Sequence, residues 1–206
     1  MMQYGMVIDL KKCMGCQTCA TSCKLANNLP SGNWWNVVYT DGGETIDTAS
    51  GEYPNCTLQH RPVACQHCAE PSCVAVCPTG ATYKDEETGI VMQDPETCIG
   101  CKSCIEACPY NVRVYNDGEP AYALDFAVGY VDAPAHIANT VEKCTMCANL
   151  VKQDEQPMCV QACVGYARYF GDLDDPESEV SKLIVDRDSM QLLAEQGTNP
   201  SVYYLK

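Results

Sequence analysis

Positive charge is scarce in this 206-residue sequence. It contains 13 Lys and Arg residues against 27 Asp and Glu residues, and its formal net charge at pH 7 is −14. A protein that binds nucleic acid needs a basic patch or stripe to contact the phosphates. Because so few basic residues are available to form one, we expect no nucleic-acid partner.

Long apolar runs are also missing. The most apolar window, residues 122–131, is short and contains Asp125, whereas a membrane span needs about 18 or more apolar residues. The start of the chain, MMQYGMVIDLKKC, has no basic first residues, no apolar stretch of about 7 to 15 residues and no small-residue cleavage site. The sequence therefore predicts no direct membrane span and no signal peptide.

Features of a substrate site are absent as well. The sequence shows no nucleophile paired with a base, no phosphate-binding loop and no pair of acidic residues suited to acid–base catalysis. We expect a chain that has no substrate site of its own and no catalytic residues.

Cysteine, by contrast, is abundant. The chain has 17 cysteines, about 8% of its residues, a level at which covalent or metal cross-links usually support a small core. All but Cys56 fall into four groups, which form an internal repeat. The groups are Cys13, Cys16, Cys19 and Cys23; Cys65, Cys68, Cys73 and Cys77; Cys98, Cys101, Cys104 and Cys108; and Cys144, Cys147, Cys159 and Cys163.

The third group has the spacing of a bacterial ferredoxin. Its sequence, CIGCKSCIEACP, reads C-x2-C-x2-C-x3-C-P, in which the first three thiolates bind one cubane cluster and the fourth binds another. Gly100 has no side chain, so the backbone can approach an inorganic sulfide there. The second group, CQHCAEPSCVAVCP, has two extra residues before its third cysteine.

Zinc and disulfides are the other uses of such cysteines. A structural zinc site usually takes two separated C-x2-4-C pairs, and disulfides are typical of secreted chains. Here the first three groups each offer three thiols in a tight run and then a fourth. The spacing thus favours [4Fe–4S] clusters over zinc or disulfides.

The groups must pair, because the fourth cysteine of each group crosses to another cluster. The second and third groups both end in Cys-Pro and lie close in sequence, so they form one pair, and the first and fourth groups form the other. Four ligand sets follow from this pairing. Set one is Cys13, Cys16, Cys19 and Cys163; set two is Cys23, Cys144, Cys147 and Cys159; set three is Cys65, Cys68, Cys73 and Cys108; set four is Cys77, Cys98, Cys101 and Cys104.

This pairing predicts an α+β fold of two bacterial-ferredoxin-like units, the second inserted in the first, with loop insertions and a helical C-terminal extension. The outer unit comprises residues 1–55 and 135–174, the inner unit residues 56–134, and the extension residues 175–206, which either packs on the units or docks a partner. Apolar patterns and turn residues predict the elements. The expected strands are 4–10 and 89–93, and the expected helices are 18–26, 103–107, 175–185 and 188–196.

The four groups, with the last stretched as C-x2-C-x11-C-x3-C, resemble the iron–sulfur subunits of the dimethyl sulfoxide reductase family of molybdenum enzymes. The resemblance covers about residues 4–174. It implies four [4Fe–4S] clusters, a large catalytic partner that alone holds molybdopterin with molybdenum or tungsten, and in many relatives a quinone-reactive membrane anchor. The outer unit would then lie nearer the catalytic partner. The complex would be membrane-associated, either exported with a catalytic subunit that carries a twin-arginine signal or cytoplasmic.

Two positions depart from the family pattern. Lys24 follows Cys23 and Val164 follows Cys163, where the pattern has a proline that lacks an amide donor. We therefore expect room for an additional amide hydrogen bond near the clusters at these places. In some relatives a tryptophan replaces one cysteine of the third group and that cluster has three irons, but Cys101 is present here. A diffusible polyferredoxin or a small subunit of a hydrogenase-type complex remains the alternative function.

Several other residues have more than one interpretation. Cys56 is expected to be a half-buried thiol, with a redox or cross-linking role as the alternative. His67 is expected to be a bystander or to support a ligand. Trp34 and Trp35 either anchor a partner or cover a cluster. Four cationic residues adjoin ligand cysteines, where positive charge would favour a reduced cluster, although solvated side chains are the simpler interpretation; they are Lys24, Lys102, Lys143 and Arg113.

Overall fold

The computed structural model describes residues 2–41 and 47–206. Its strands are β1 (Tyr4–Asp9), β2 (Asn36–Thr40), β3 (Ser50–Glu52), β4 (Asn55–Thr57), β5 (His60–Ala64), β6 (Thr82–Lys84), β7 (Val91–Gln93), β8 (Val114–Tyr115), β9 (Val141–Glu142), β10 (Arg168–Asp172), β11 (Ser189–Met190) and β12 (Val202–Leu205). Its helices are α1 (Thr18–Ala26), α2 (Ser72–Ala75), α3 (Ser103–Glu106), α4 (Ala148–Val151), α5 (Met158–Gln161) and α6 (Glu179–Asp186), with a 3-10 turn at Ala194–Gln196.

A four-stranded sheet joins the two ends of the chain. Its strand order is β10-β1-β12-β11; β1 runs antiparallel to β10 and parallel to β12. Side chains of a strand alternate between its two faces, and β1 is buried on both. Met6 and Ile8 pack with Tyr204 on one face, whereas Val7 packs with Val180 and Leu205 on the other. Strand β1 is therefore held in the core as it leads into the first cysteine group.

Four two-stranded antiparallel ribbons carry the rest of the described strands. They pair β2 with β5, β3 with β4, β6 with β7, and β8 with β9. In the third ribbon Thr82 faces Gln93, and in the fourth Val114 faces Glu142. Three of these ribbons, β2–β5, β6–β7 and β8–β9, enter or leave cysteine groups, so they fix the ends of the loops that present the thiols.

The first predicted helix has the observed bounds, Thr18–Ala26, and the third group's helix ends at Glu106, one residue early. The strand expected over 89–93 is confirmed only at Val91–Gln93. No helix in residues 2–41 and 47–206 is long and apolar enough to cross a membrane.

The prediction for the C-terminal extension was partly wrong. The helix expected from Asp175 begins instead at Glu179, and the hydroxyl of its N-cap Ser178 accepts a hydrogen bond from the Ser181 N–H at 3.2 Å. The expected helix 188–196 is the short strand β11 followed by a 3-10 turn. The last strand, β12, lies inside the four-stranded sheet beside β1. The extension is thus part of the core, because it covers both faces of β1.

Candidate metal centres

The first cavity joins the beginning of the cysteine pattern to its end. It is lined by Cys13, Cys16, Cys19 and Cys163, the four members of set one, and also by Arg168. The cavity encloses about 360 Å³, part of it open to solvent. The first and fourth groups therefore meet here, although about 140 residues of sequence separate Cys19 from Cys163.

The second cavity also brings the first and fourth groups together. Its lining includes Cys23, Cys144, Cys147 and Cys159, the members of set two, and it encloses about 490 Å³. Three further residues of its wall are Cys65, His67 and Arg168. Because Arg168 also lines the first cavity, one guanidinium lies between the two.

The third cavity lies between the second and third groups. Cys65, Cys68, Cys73 and Cys108, the members of set three, line it together with Arg113 and other residues, and it encloses about 350 Å³. Cys65 belongs to the walls of both the second and the third cavity. The second and third sets are therefore neighbours.

Electrostatic contacts relate the members of set four. Burial raises the pKa of Cys104, Arg113 opposes that rise, and the thiols of Cys73, Cys98 and Cys101 add to it. Hydrogen bonds from Ser103 lower the pKa of Cys101, and the nearby Cys77 thiol opposes this change. Cys77 thus lies close to cysteines of the third group.

The four groups share one backbone device. In each C-x2-C segment the residue just before the second cysteine has a positive φ; these residues are Gly15 (70°), His67 (42°), Gly100 (66°) and Met146 (55°). The left-handed conformation turns the chain sharply. In each group the third cysteine then lies on a short helix; these cysteines are Cys19, Cys73, Cys104 and Cys159. Local backbone geometry therefore positions thiols in the same way four times.

Hydrogen bonds reach several of the cysteine sulfurs. Backbone N–H groups donate to Cys77 Sγ from Thr82, to Cys144 Sγ from Met146 and to Cys163 Sγ from Ala167, each at 3.3 Å. Such bonds help to set the potential of a bound iron–sulfur cluster. Near the two cysteines that lack a following proline, Ala167 N–H is the donor to Cys163 Sγ, and the Asn27 side chain lies 3.7 Å from Cys23 Sγ.

Burial makes the thiols of the second cavity hard to ionise. It raises the pKa of Cys147 to about 11, and the neighbouring Cys159 thiol adds to the rise. Burial, followed by nearby thiols, also raises the pKa of Cys23 and Cys144 well above the usual range. Thiolates are the form that binds metal. A cationic iron core fits this donor set because it offsets the charge of four crowded thiolates.

No three His, Cys, Asp or Glu side chains in the described ranges are arranged to hold a single metal ion. All 17 cysteines lie in these ranges, and none forms a disulfide. The cysteines instead line cavities. This arrangement suits a cubane, in which each of four thiolates binds a different iron atom.

The histidine between Cys65 and Cys68 is fully buried. Its Nδ1 accepts a hydrogen bond from the Val91 N–H at 3.2 Å, so the proton of the neutral ring is on Nε2, which is buried without an oxygen acceptor among the described residues. Burial opposes ionisation of Cys65, but the positive charges of Lys143 and Arg113 lower the pKa of this thiol. His67 is therefore buried beside Cys65, a position that suits either of the two roles expected for it.

Buried cations include residues that the sequence singled out and one that it did not. Lys143 and Arg113 are buried, whereas Lys102 is exposed over the Tyr115 ring at 3.7 Å and Lys24 is partly exposed near Trp34. The residue that sequence reasoning missed is Arg168, although it follows Cys163 at the same spacing at which Arg113 follows Cys108. Its one local signal is that it begins β10, five residues after Cys163.

The other residues with two interpretations also have definite positions. Trp35 is buried against Cys23 and Leu29, so it covers a thiol of the second cavity, whereas Trp34 is exposed. Cys56 lies exposed in β4, which corrects the expectation of a half-buried thiol. At Gly100, where close approach of a sulfide was expected, a Cβ would meet the carbonyl oxygen of Asn139.

Comparison with known proteins gives the family. Residues 56–123 and 130–173 match a family described as the 4Fe–4S dicluster domain, and residues 10–31 match a 4Fe–4S binding domain. A Halobacterium salinarum protein assigned as the iron–sulfur subunit of a dimethyl sulfoxide reductase is 46% identical over 211 residues, which cover 100% of this chain and 79% of that protein.

Two further relatives have similar coverage. The iron–sulfur subunit ArrB of the arsenate respiratory reductase of Shewanella sp. is 37% identical, with 100% of this chain and 97% of that protein covered. A sulfite dehydrogenase subunit of Allochromatium vinosum is 39% identical, with 100% and 83% covered. The chain is therefore a [4Fe–4S] protein with ferredoxin-type domains. Within that class it belongs to the family of iron–sulfur subunits of dimethyl sulfoxide reductase-type enzymes.

Proposed function

We propose that this chain relays electrons through four [4Fe–4S] clusters between a catalytic subunit, which holds molybdenum or tungsten on a bis-pterin cofactor, and a quinone-linked membrane anchor or another donor. Each cluster, when bound, takes up and releases one electron. The ligand sets are the four defined from the sequence, so the clusters are called one to four by the number of their set.

The cavity walls carry this proposal. Three of the four sets line cavities, and each of these sets draws its cysteines from two groups; the second cavity also has Cys65 of set three in its wall. Crossing of the fourth cysteine is the ferredoxin arrangement. The walls therefore favour cubanes with crossed ligands over four independent sites, each built within one group.

The contacts between elements support a nested arrangement. Strand β1 of the first group pairs with β10 after the fourth group, and α1 contacts α5. In the middle of the chain, α2 contacts α3 and β6 pairs with β7. We propose an outer unit of residues 1–55 and 135–174 around an inner unit of residues 56–134, while residues 175–206 complete the outer sheet and offer a docking surface.

The family suggests the direction and the place of electron transfer. The outer unit faces the catalytic subunit, and the inner unit faces the quinone end. The complex is attached to a membrane, either on the outside, after export with a catalytic subunit that bears a twin-arginine signal, or in the cytoplasm. In this proposal the chain itself supplies the cluster ligands, shields the clusters from solvent and has no substrate site.

Metal analysis and affinity capture test the function together. We expect the anaerobically purified chain to be brown and to contain about 16 iron and about 16 sulfide per molecule. Captured from its native cells, the tagged chain should bring down a much larger protein that contains pterin and molybdenum or tungsten. Zinc without iron would exclude the electron-transfer function.

The alternative function predicts a different result. A diffusible polyferredoxin would contain the same iron but would be recovered without a large partner, and a subunit of a hydrogenase-type complex would be recovered with a partner that lacks pterin. Iron content therefore tests the clusters, and the captured chain tests the complex.

A further inference from the structure

Three cationic side chains are buried among the cysteine sets. Arg168 is 5% exposed, Lys143 1% and Arg113 6%. No ion pair in the described ranges joins any of them to a carboxylate, whereas Arg61, Arg187, Lys182 and Lys206 each have an acidic partner. A buried charge is costly unless another charge compensates for it. The cysteine thiolates are the anionic groups near these three side chains.

Arg168 lies between sets one and two. Its Nη2 donates to Cys19 Sγ of set one and its Nη1 donates to Cys159 Sγ of set two, each at 3.5 Å. The same guanidinium donates to Asn36 Oδ1 and to Met6 Sδ, both at 3.2 Å, and neither of these groups is charged. Arg168 therefore contacts one thiol on either side of the gap between the first two cavities.

Lys143 lies between sets two and three. Its Nζ donates to the backbone oxygens of Val91 and Cys144, the latter at 2.9 Å. Cys144 belongs to set two, and Val91 donates its N–H to Nδ1 of His67, which lies between Cys65 and Cys68 of set three. Cys65 itself lines both the second and the third cavity. The ammonium is thus held where these two cavities adjoin.

Arg113 lies between sets three and four. Its Nη1 donates to Gln93 Oε1 at 3.0 Å and to Thr82 Oγ1 at 3.3 Å, while Nη2 is buried without an oxygen acceptor among the described residues. It lines the third cavity with the members of set three, and its partner Thr82 donates its N–H to Cys77 Sγ of set four at 3.3 Å. The third gap therefore also holds one cation.

We propose that one buried cation stands in each of the three gaps between successive clusters and raises the reduction potentials of the two clusters that flank it. This inference rests on the proposed ligand sets. Reduction adds negative charge, which a nearby positive charge stabilises, and the effect weakens with distance. Each cation also reduces the repulsion between electrons on neighbouring clusters. The three cations are not catalytic residues, because they influence electron transfer only through the effect of their charge on the clusters.

Neutral variants test the proposal through an overlapping pattern. In redox titrations followed by electron paramagnetic resonance, Arg168→Gln should lower two of the four potentials, Lys143→Gln two and Arg113→Gln two. The first and second variants should share one shifted cluster, the second and third should share another, and the first and third should share none. We expect about a tenfold change in each reduction equilibrium, which is ~59 mV for one electron. The pattern needs no prior assignment of signals to clusters.

Two further variants offset the charge of a cation while the cation itself stays in place. Asn36→Asp puts a carboxylate beside Arg168, and Gln93→Glu puts one beside Arg113, at positions that already accept hydrogen bonds from these side chains. These near-isosteric changes should reproduce the Arg168→Gln and Arg113→Gln shifts even if a Gln variant fails to fold. Arg168→Lys keeps the positive charge, so the reduction potentials of the two flanking clusters should fall less than they do in Arg168→Gln. Lys182→Gln, which removes an exposed cation, is the control.

The outcomes separate this inference from the proposed function. The role of the cations would be overturned if none of the four reduction potentials changed, or if all four changed equally in every variant. Either result would leave the electron-transfer function standing. If the reduction potentials fell equally in Arg168→Lys and Arg168→Gln, the role of Arg168 would be purely structural. Fewer than four clusters in the unmodified chain would instead contradict the ligand sets themselves.

Discussion

At the scale of single residues, Asp9 determines how the chain enters the first cysteine group. Its Oδ1 accepts hydrogen bonds from the N–H groups of Lys11 (3.0 Å) and Lys12 (3.3 Å), and its backbone oxygen accepts one from Cys13 N at 3.1 Å. Its Oδ2 accepts a hydrogen bond from Arg187 at 2.5 Å. Burial opposes ionisation of Asp9, but Arg187 and the two backbone donors lower its pKa overall. The ionised side chain therefore links the first loop to the C-terminal segment.

We expect Asp9→Asn to destabilise the loaded protein by about 2 kcal/mol at pH 7, because the change leaves Arg187 unpaired but keeps an oxygen for the loop. For a chain of this size that corresponds to roughly 4–8 °C in the midpoint temperature at which visible cluster absorption is lost. The lowered pKa means that the stabilisation is complete above about pH 4, the unfolded value, and is lost as pH falls through the folded value.

The matched control is Asp188→Asn, since Asp188 is exposed and pairs only loosely with Lys206 at 3.7 Å. A surface ion pair of this kind contributes little to the free energy of unfolding. The midpoint temperature of cluster loss in Asp188→Asn should therefore stay within roughly 2 °C of that of the unmodified protein. Similar losses in the two variants would indicate a general effect of charge rather than the buried position of Asp9.

Residues with a strong local signal could be predicted from the sequence, and residues that act across the fold could not. The four cysteine groups and their metal chemistry follow from spacing alone. The position of Arg168 after Cys163 could be seen in the sequence, but its contact with Cys19 could not, because 149 residues separate the two. Likewise, nothing in the local sequence says that Lys143 is buried while Lys102 is exposed.

At the scale of elements, α1 was predicted closely because its bounds follow from the cysteine spacing and a helical pattern. The C-terminal segment was predicted less well. Its residues 188–196 carry a helical pattern, yet β11 forms there because it pairs with β12, which in turn pairs with β1. Tertiary pairing therefore overrides local preference in a segment with no cysteine to fix it.

Strand β12 allows a test of whether the C-terminal segment is core or only a docking surface. Leu205 is fully buried against Val7 and Val180. We expect Leu205→Ala to cost about 2–4 kcal/mol, because a large buried side chain is removed, and to lower the midpoint of cluster loss by roughly 5–15 °C. Leu58→Ala, at an exposed position after β4, is the control and should change little. Weakened partner binding with unchanged stability would instead support docking alone.

At the scale of the whole molecule, the sets form a series with an exposed cysteine at either end. Cys16 of set one and Cys101 of set four are exposed, whereas Cys65 is buried and Cys144 is half-buried, next to the buried Lys143. In the proposed wiring, electrons therefore enter and leave at the two ends and pass one buried cation at each transfer. Removing a ligand at one end should interrupt exchange there without dismantling the rest.

Cys101→Ser tests this prediction at the end that we propose faces the quinone partner. We expect the variant complex to lose about one iron and to lose electron exchange with the membrane partner, because only the terminal cluster is damaged. Catalysis by the large subunit driven by an artificial dye should survive, since the dye donates directly to that subunit. Cys56→Ser is the matched control: it replaces an exposed cysteine outside all four sets, so iron content and both activities should stay unchanged. Equal loss of quinone-linked and dye-driven activity in Cys101→Ser would show that set four does not lie at the quinone end.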